Sequence, residues 1–181
     1  MEIVKNMDFN ALKQQIKKGA KKAFIENVAK YGKDICAFAL VSDDGAMTVV
    51  PYTNTIAHLQ KMQKDDPDYK EVYEFEPAEW DTSDGANDEI DTICRVLNEE
   101  VLRDNINFEA FKNQLFETCV QVLEELQKEN FFMDSIEKNI LVLFGISDTE
   151  EPEENLIKWA KRTNTKMYGD AYQAYQNKVW E

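Results

Sequence analysis

Histidine, cysteine and long apolar runs are scarce in this sequence, and each shortage excludes a class of protein. The 181 residues contain one histidine, His58, and three cysteines, Cys36, Cys94 and Cys119. A metal site built from several histidines or from paired cysteines is therefore not predicted. The longest apolar runs, at 35–41 and 140–146, fall well short of the ~20 residues of a membrane-spanning helix. The amino terminus lacks the apolar stretch of a secretory signal, so we expect a cytoplasmic protein with reduced, buried thiols.

Basic residues are also in short supply relative to acidic ones. The chain carries 35 acidic and 21 basic side chains, a net charge of −14 at pH 7. Nucleic acids and anionic membranes repel such a surface, because binding to either normally needs cationic side chains. We therefore expect neither nucleic acid nor membrane as a partner. With 43% apolar residues and few glycines and prolines, the chain has the composition of a folded domain.

Hydrophobic spacing predicts one domain over residues 1–181, of the α+β class, with a small mixed or antiparallel sheet covered by helices. Strands at 35–41 and 46–52 form a hairpin around the turn Asp43-Asp44-Gly45, and Asp8 and Gly32 bound the first helix. The predicted order is α-β-β-α-β-α-α-β-α. Its members are helices at 8–31, 53–64, 88–103, 108–129 and 150–162 and strands at 35–41, 46–52, 69–75 and 139–146. An aromatic tail follows at 163–181; it either packs back on the domain or forms a helix that binds a partner or a second copy.

Negative charge is concentrated in one segment, residues 65–91. It holds twelve acidic residues and a single lysine, a net charge of −11, with aromatic residues interleaved. One interpretation is a solvated loop; the other is a recognition surface on which carboxylates attract a basic protein and aromatic residues anchor it. The spacing does not fit a calcium loop. The candidate contact residues are Tyr73, Glu76, Glu79, Trp80, Asp81 and Asp84, with Tyr73 and Trp80 as the anchors.

No catalytic pattern accompanies these residues. The sequence has no phosphate-binding glycine loop, no C-x-x-C pair and no G-x-S-x-G, so we expect no cofactor and no catalytic residue. His58 could act as a general base only with partners that the sequence does not identify. The lysines of the first helix (Lys17, Lys18, Lys21 and Lys22) either face solvent, dock on the acidic half of the chain or contact an acidic partner.

Several short motifs resemble a bacterial family of domains of unknown function, numbered 4303. They are FALVSDDGAMTV at 38–49 with Pro51 and NT at 54–55, EPAEW at 76–80, FETC at 116–119, NFF at 130–132 and ISD at 146–148. The resemblance covers about residues 8–162. It implies a small bacterial cytosolic protein and implies no activity, cofactor or catalytic residue.

Three functions remain open. The first is a non-enzymatic interaction module that binds a basic partner, by analogy with immunity proteins that neutralise toxins. The second is a hydrolase or transferase with a site formed by carboxylates and His58. The third is a structural homo-oligomer joined through the aromatic tail. A deep pocket around His58 favours the second, and a shallow acidic face favours the first.

Overall fold

A computed structural model describes residues 7–147 and 151–179, which form eight α-helices around a three-stranded sheet. The helices are α1 (Phe9–Tyr31), α2 (Ile56–Asp65), α3 (Lys70–Phe75), α4 (Asn87–Val101), α5 (Phe108–Lys128), α6 (Phe131–Ile136), α7 (Glu153–Thr163) and α8 (Lys166–Val179). The strands are β1 (Ile35–Asp43), β2 (Val49–Thr55) and β3 (Leu141–Ser147). The α+β class is confirmed.

The sheet is mixed, in the order β2-β1-β3. β1 pairs antiparallel with β2, as the hairpin prediction requires, and parallel with β3. Alternate residues of β1 face opposite sides: Phe38 and Leu40 enter one hydrophobic core, and Ala37 and Ala39 enter another. Burial on both faces explains why β1 reads as an unbroken apolar run.

The larger core lies between the sheet and helices α1, α4, α5 and α6. Phe24 of α1 is its centre, with its ring 5.4 Å from that of Phe38 and 4.9 Å from that of Phe132, both edge to face. The Asp8 carboxylate caps α1 by accepting hydrogen bonds from the backbone N–H groups of Asn10 and Ala11, and Gly32 follows its last turn, as predicted.

The smaller core covers the opposite face of the sheet and unites α3, α7 and α8. We call it the second core; its buried members are Ala37, Ala39, Phe75, Trp80, Leu141, Leu143, Ala160, Tyr172 and Tyr175. Tyr172 and Tyr175 belong to the aromatic tail, which forms α8 and packs back on its own domain.

The strand predicted at 69–75 is wrong, because these residues form the short helix α3. The spacing of Val72 and Phe75 places both on one helical face toward the second core. The edge of β2 is occupied instead by Thr82, whose backbone exchanges hydrogen bonds of 2.8 and 3.2 Å with that of Thr53.

Other boundaries move by smaller amounts. Residues 53–55, assigned to a helix from the sequence, continue β2, and Thr55 rather than Thr53 or Asn54 caps α2. The short helix α6 lies in a stretch for which the sequence pattern predicted no element. The predicted start of the helix at residue 150 lies outside the described residues.

Candidate functional site

The acidic segment 65–91 forms a layer of short elements beside the edge of β2. From α2 the chain passes through a 3-10 turn at Pro67–Tyr69, α3, a second 3-10 turn at Pro77–Glu79 and a loop that leads into α4. Aspartate and proline break each helix early, which explains the shortness of the elements. Their polar side chains consequently remain at the surface while Phe75 reaches the second core.

Tyr73 of α3 lies among several other polar side chains of this segment. Its hydroxyl donates a hydrogen bond of 3.2 Å to the Asp66 carboxylate. Desolvation raises the pKa of the Tyr73 phenol, and the nearby Asp66, Glu79 and Tyr69 raise this pKa further. Asp66, which follows α2, therefore shares one region of surface with side chains of α3 and of both 3-10 turns.

His58 joins this region to the loop that follows. One ring nitrogen, Nε2, lies 3.0 Å from the backbone carbonyl oxygen of Glu79, and Nδ1 lies 3.9 Å from Asp81 Oδ1. The second Asp81 oxygen accepts a 2.7 Å hydrogen bond from the hydroxyl of Thr55. His58 therefore links α2 to two residues of the acidic segment, and Asp81 is held against the end of β2.

Asp84 belongs to the same surface as Asp81, because both affect Lys30 of the long helix α1. The pKa of Lys30 is raised first by Tyr31 and then by Asp84 and Asp81, so both carboxylates lie within electrostatic reach of this lysine. We define the acidic patch as Asp66, Tyr69, Tyr73, Glu79, Asp81 and Asp84.

The loop of the acidic patch is fixed to α1 by the buried Asn27 and by Glu26. The Asn27 amide donates to Thr53 Oγ1 at 3.1 Å and to the carbonyl oxygen of Asp84 at 3.0 Å. The Glu26 carboxylate accepts a 2.7 Å hydrogen bond from the backbone N–H of Ala86. These bonds stabilise the one-residue left-handed turn at Ala86, whose φ is 51°.

The six residues selected from the sequence have different environments. Glu79, Asp81 and Asp84 are exposed, and Tyr73 is half-buried. Trp80 is only 6% exposed and lies in the second core, so in this conformation it cannot act as the surface anchor that the sequence suggested. Its indole N–H has no hydrogen-bond partner among the described residues.

Glu76 also points away from the acidic patch. Burial raises the pKa of its carboxyl group, while a 2.8 Å hydrogen bond from the hydroxyl of Tyr175 lowers it. The aromatic residue that the acidic patch does expose is Tyr69, at 58%. In the sequence, Tyr69 is one of several aromatic residues among the acids. Only the nearby Pro67, which disfavours a regular strand, distinguishes Tyr69 from the others.

Elsewhere, acidic and basic side chains neutralise one another. The lysines of α1 pair with glutamates of α5 and α4: Lys13 and Lys17 with Glu125, Lys17 and Lys21 with Glu129, and Lys22 with Glu89. Three of the four predicted first-helix lysines therefore dock on the acidic half of the chain. Within residues 7–147 and 151–179, only Glu71 and Glu89 of the twelve acids in 65–91 form an ion pair with a lysine or arginine. The carboxylates of the acidic patch are thus without a lysine or arginine ion pair in this part of the chain, and Lys30 acts on Asp81 and Asp84 only at longer range.

Features of a catalytic or metal centre are sparse. Among the grooves on the described surface are three of about 630, 480 and 350 Å³, and His58 lines none of these three. No three His, Cys, Asp or Glu side chains within the described ranges converge as metal ligands would. Cys119 is buried, whereas Cys36 and Cys94 are half-buried; desolvation raises the pKa of Cys36 to about 12, so its thiol is protonated at neutral pH. Within the described part of the chain, no helix has both the length and the apolar character that crossing a membrane requires.

Comparison with known proteins identifies one family. The model of the family described as Domain of unknown function (DUF4303) matches residues 14–165, most of the chain. No curated protein and no solved structure matches the sequence significantly.

Proposed function

The chain belongs to the DUF4303 family, and we propose that it acts as a non-enzymatic interaction module that binds a basic protein through the acidic patch. The observation that carries the proposal is the uncompensated charge of this surface. Ten of the twelve acids in 65–91 have no lysine or arginine ion-pair partner in the described part of the chain, whereas the lysines of α1 are largely neutralised. An uncompensated cluster of one sign steers an oppositely charged partner and increases its association rate.

The exposed ring of Tyr69 supports the same function. Tyrosine provides a large contact area at a small cost in conformational entropy, and it is enriched among residues that dominate binding energies. In the acidic patch, Tyr69 and the half-buried Tyr73 take the anchor roles, and Glu79, Asp81 and Asp84 take the steering role. We infer a partner that presents lysine or arginine side chains around an apolar recess.

The basic partner we favour is a toxic protein that the module neutralises, by analogy with small acidic immunity proteins. The free cysteines are compatible with a cytoplasmic location, which belongs to the same proposal. The enzymatic alternative has less support, because His58 lines none of the three grooves. The homo-oligomer alternative is also weaker, because Tyr172 and Tyr175 pack within their own chain.

Affinity capture with two matched variants tests the proposal. The patch variant carries Glu79→Lys and Asp84→Lys; both residues are exposed and neither carboxylate forms a hydrogen bond with another described residue. The control carries Glu99→Lys and Glu109→Lys, exposed positions on α4 and α5 that change the net charge equally. Each tagged protein is incubated with lysate of the native host at low and at high salt, and retained proteins are identified by mass spectrometry.

The proposal predicts a basic protein that wild type and control retain at low salt, that high salt releases and that the patch variant does not retain. Retention of the same proteins by all three baits contradicts it, because binding would then depend neither on the acidic patch nor on the net charge. A retained protein that is not basic also contradicts it.

A further inference from the structure

Helix α8 lies beyond the part of the chain that the family model matches. The match ends at residue 165, and α8 begins at Lys166. Yet α8 supplies two buried members of the second core, Tyr172 and Tyr175. The helix therefore closes a surface that the matched domain alone leaves apolar.

The contacts of α8 with α3 are specific. The ring of Tyr175 stacks on that of Phe75, with 5.1 Å between the centroids, and the ring of Tyr172 meets the same phenylalanine edge to face at 5.9 Å. The hydroxyl of Tyr175 donates a 2.8 Å hydrogen bond to Glu76, just after α3, and Lys178 pairs with Glu71 on α3 at 2.6 Å. One face of α8 thus contacts α3 and the residue after it through aromatic packing, a charge-assisted hydrogen bond and an ion pair.

The start of α8 is fixed as firmly as this face. The Asn164 side chain accepts from the N–H of Val142 and donates to its carbonyl oxygen, so it caps the outer edge of β3. Gly169 lies so close to α7 that a Cβ atom there would come within 3.3 Å of the Lys161 Cα. α8 is therefore anchored to the sheet and to α7, and α3 is the element that it holds in place.

We propose that α8 is a C-terminal clasp that fixes the shape of the acidic patch, with Tyr175 and Glu76 as positioning residues. Glu76 links α3, which carries Tyr73, to the 3-10 turn that carries Glu79, so a bond to Glu76 restrains both sides of the acidic patch. The consequence for partner binding rests on the proposed function. The restraint itself is a property of the free protein.

Hydrogen exchange measured by mass spectrometry on the full chain tests the clasp without any partner. Tyr175→Phe keeps the stacked ring and removes the hydroxyl. Tyr168→Phe is the control: it removes a hydroxyl from the same helix, and that hydroxyl donates its hydrogen bond, at 3.5 Å, to the carbonyl oxygen of Asn139 and not to Glu76. Loss of a hydrogen bond to a buried carboxylate should speed exchange of the amides at 70–80 about tenfold.

The expected result is this acceleration in Tyr175→Phe and its absence in Tyr168→Phe. Equal exchange rates at 70–80 in the two variants would overturn the clasp. Lys178→Gln is a second test, because loss of its ion pair with Glu71 should also speed exchange of these amides. The patch variant (Glu79→Lys and Asp84→Lys) tests the proposed function and keeps the hydrogen bond between Tyr175 and Glu76. The clasp and the proposed function can therefore fail separately.

Discussion

Replacing Gly85 with alanine should distort the acidic patch and destabilise the protein more than an ordinary glycine substitution. Gly85 has a φ of +125°, and a Cβ atom there would lie 2.9 Å from the Cα and 3.0 Å from the carbonyl oxygen of Ala23 in α1. Gly32 is the matched control, because its φ is +55° and a Cβ atom added there would meet no other atom within 4 Å. Both substitutions carry backbone strain, but only Gly85→Ala also forces two backbones apart.

The expected magnitudes follow from these two contributions. Strain at an unfavourable φ costs about 1–3 kcal/mol, and forcing an atom into a packed site costs about 1–3 kcal/mol more. Gly85→Ala should therefore lower the free energy of unfolding by about 2–6 kcal/mol, and Gly32→Ala by about 1–3 kcal/mol. The smaller unfolded-state entropy of alanine affects both variants alike and cancels in the difference.

Equilibrium unfolding in urea measures both variants, provided that the slope with denaturant is unchanged. An equal loss of stability in the two proteins would refute the reasoning, because the contact with Ala23 would then contribute nothing. A loss in Gly85→Ala alone would show that the strain at Gly32 was overestimated and would still assign the loss to the contact with Ala23.

Two further predictions concern charged groups. Burial raises the pKa of Glu76, so this carboxyl group binds a proton more tightly in the folded protein than in the unfolded chain. The charged carboxylate therefore destabilises the folded state. This destabilisation is complete at pH values above the raised pKa and disappears as the pH falls below the ordinary pKa of glutamate. The free energy of unfolding, measured at several pH values, should therefore increase for Glu76→Gln relative to wild type as the pH rises through this range. A difference that does not change with pH would contradict the burial of the charge. The pair of Arg162 with Glu117, joined by hydrogen bonds of 2.8 and 2.7 Å, should give a coupling energy of about 1 kcal/mol in a double-mutant cycle. The exposed pair of Arg95 with Glu99 at 3.7 Å should give less, and equal couplings would show that bidentate geometry does not matter here.

The sequence predicted the three strands of the sheet and the long helices because their signals are local. Asp8 and Gly32 mark the two ends of α1 through a side chain and a backbone conformation, and each stands where it was expected. Strand β1 was recognisable because burial on both faces leaves no polar position in its centre. Helix α3 was missed because its six residues fit both periods: Tyr73 and Phe75 have the spacing of a strand, and Val72 and Phe75 have the spacing of a helix. Its conformation is decided by the second core and by Thr82, which occupies the edge of β2.

The acidic patch was predictable as a charged segment but not as a surface. Charge density alone pointed to residues 65–91, and Glu79, Asp81 and Asp84 are exposed there. Trp80 and Glu76 flank the 3-10 turn at Pro77–Glu79, and Pro77 of this turn lies beside Gly145 of β3. That contact joins residues far apart in sequence, and no local pattern reports it.

The ion pairs of α1 change the interpretation of the whole-molecule charge. The amino-terminal lysines were expected either to face solvent or to find an acidic surface, and Lys17, Lys21 and Lys22 find it on α5 and α4. The acidic patch has no such pairs with lysine or arginine in the described part of the chain. This difference is the physical basis of the proposed function.

The most direct test of that function is the association rate constant of the captured basic partner with wild type, the patch variant and the charge-matched control, measured by stopped flow over a range of salt. We predict that lysines at positions 79 and 84 slow association about tenfold at low salt and flatten its salt dependence, while lysines at positions 99 and 109 have a much smaller effect. Equal rates for the two variants would contradict the account, because binding would then depend on net charge and not on the acidic patch.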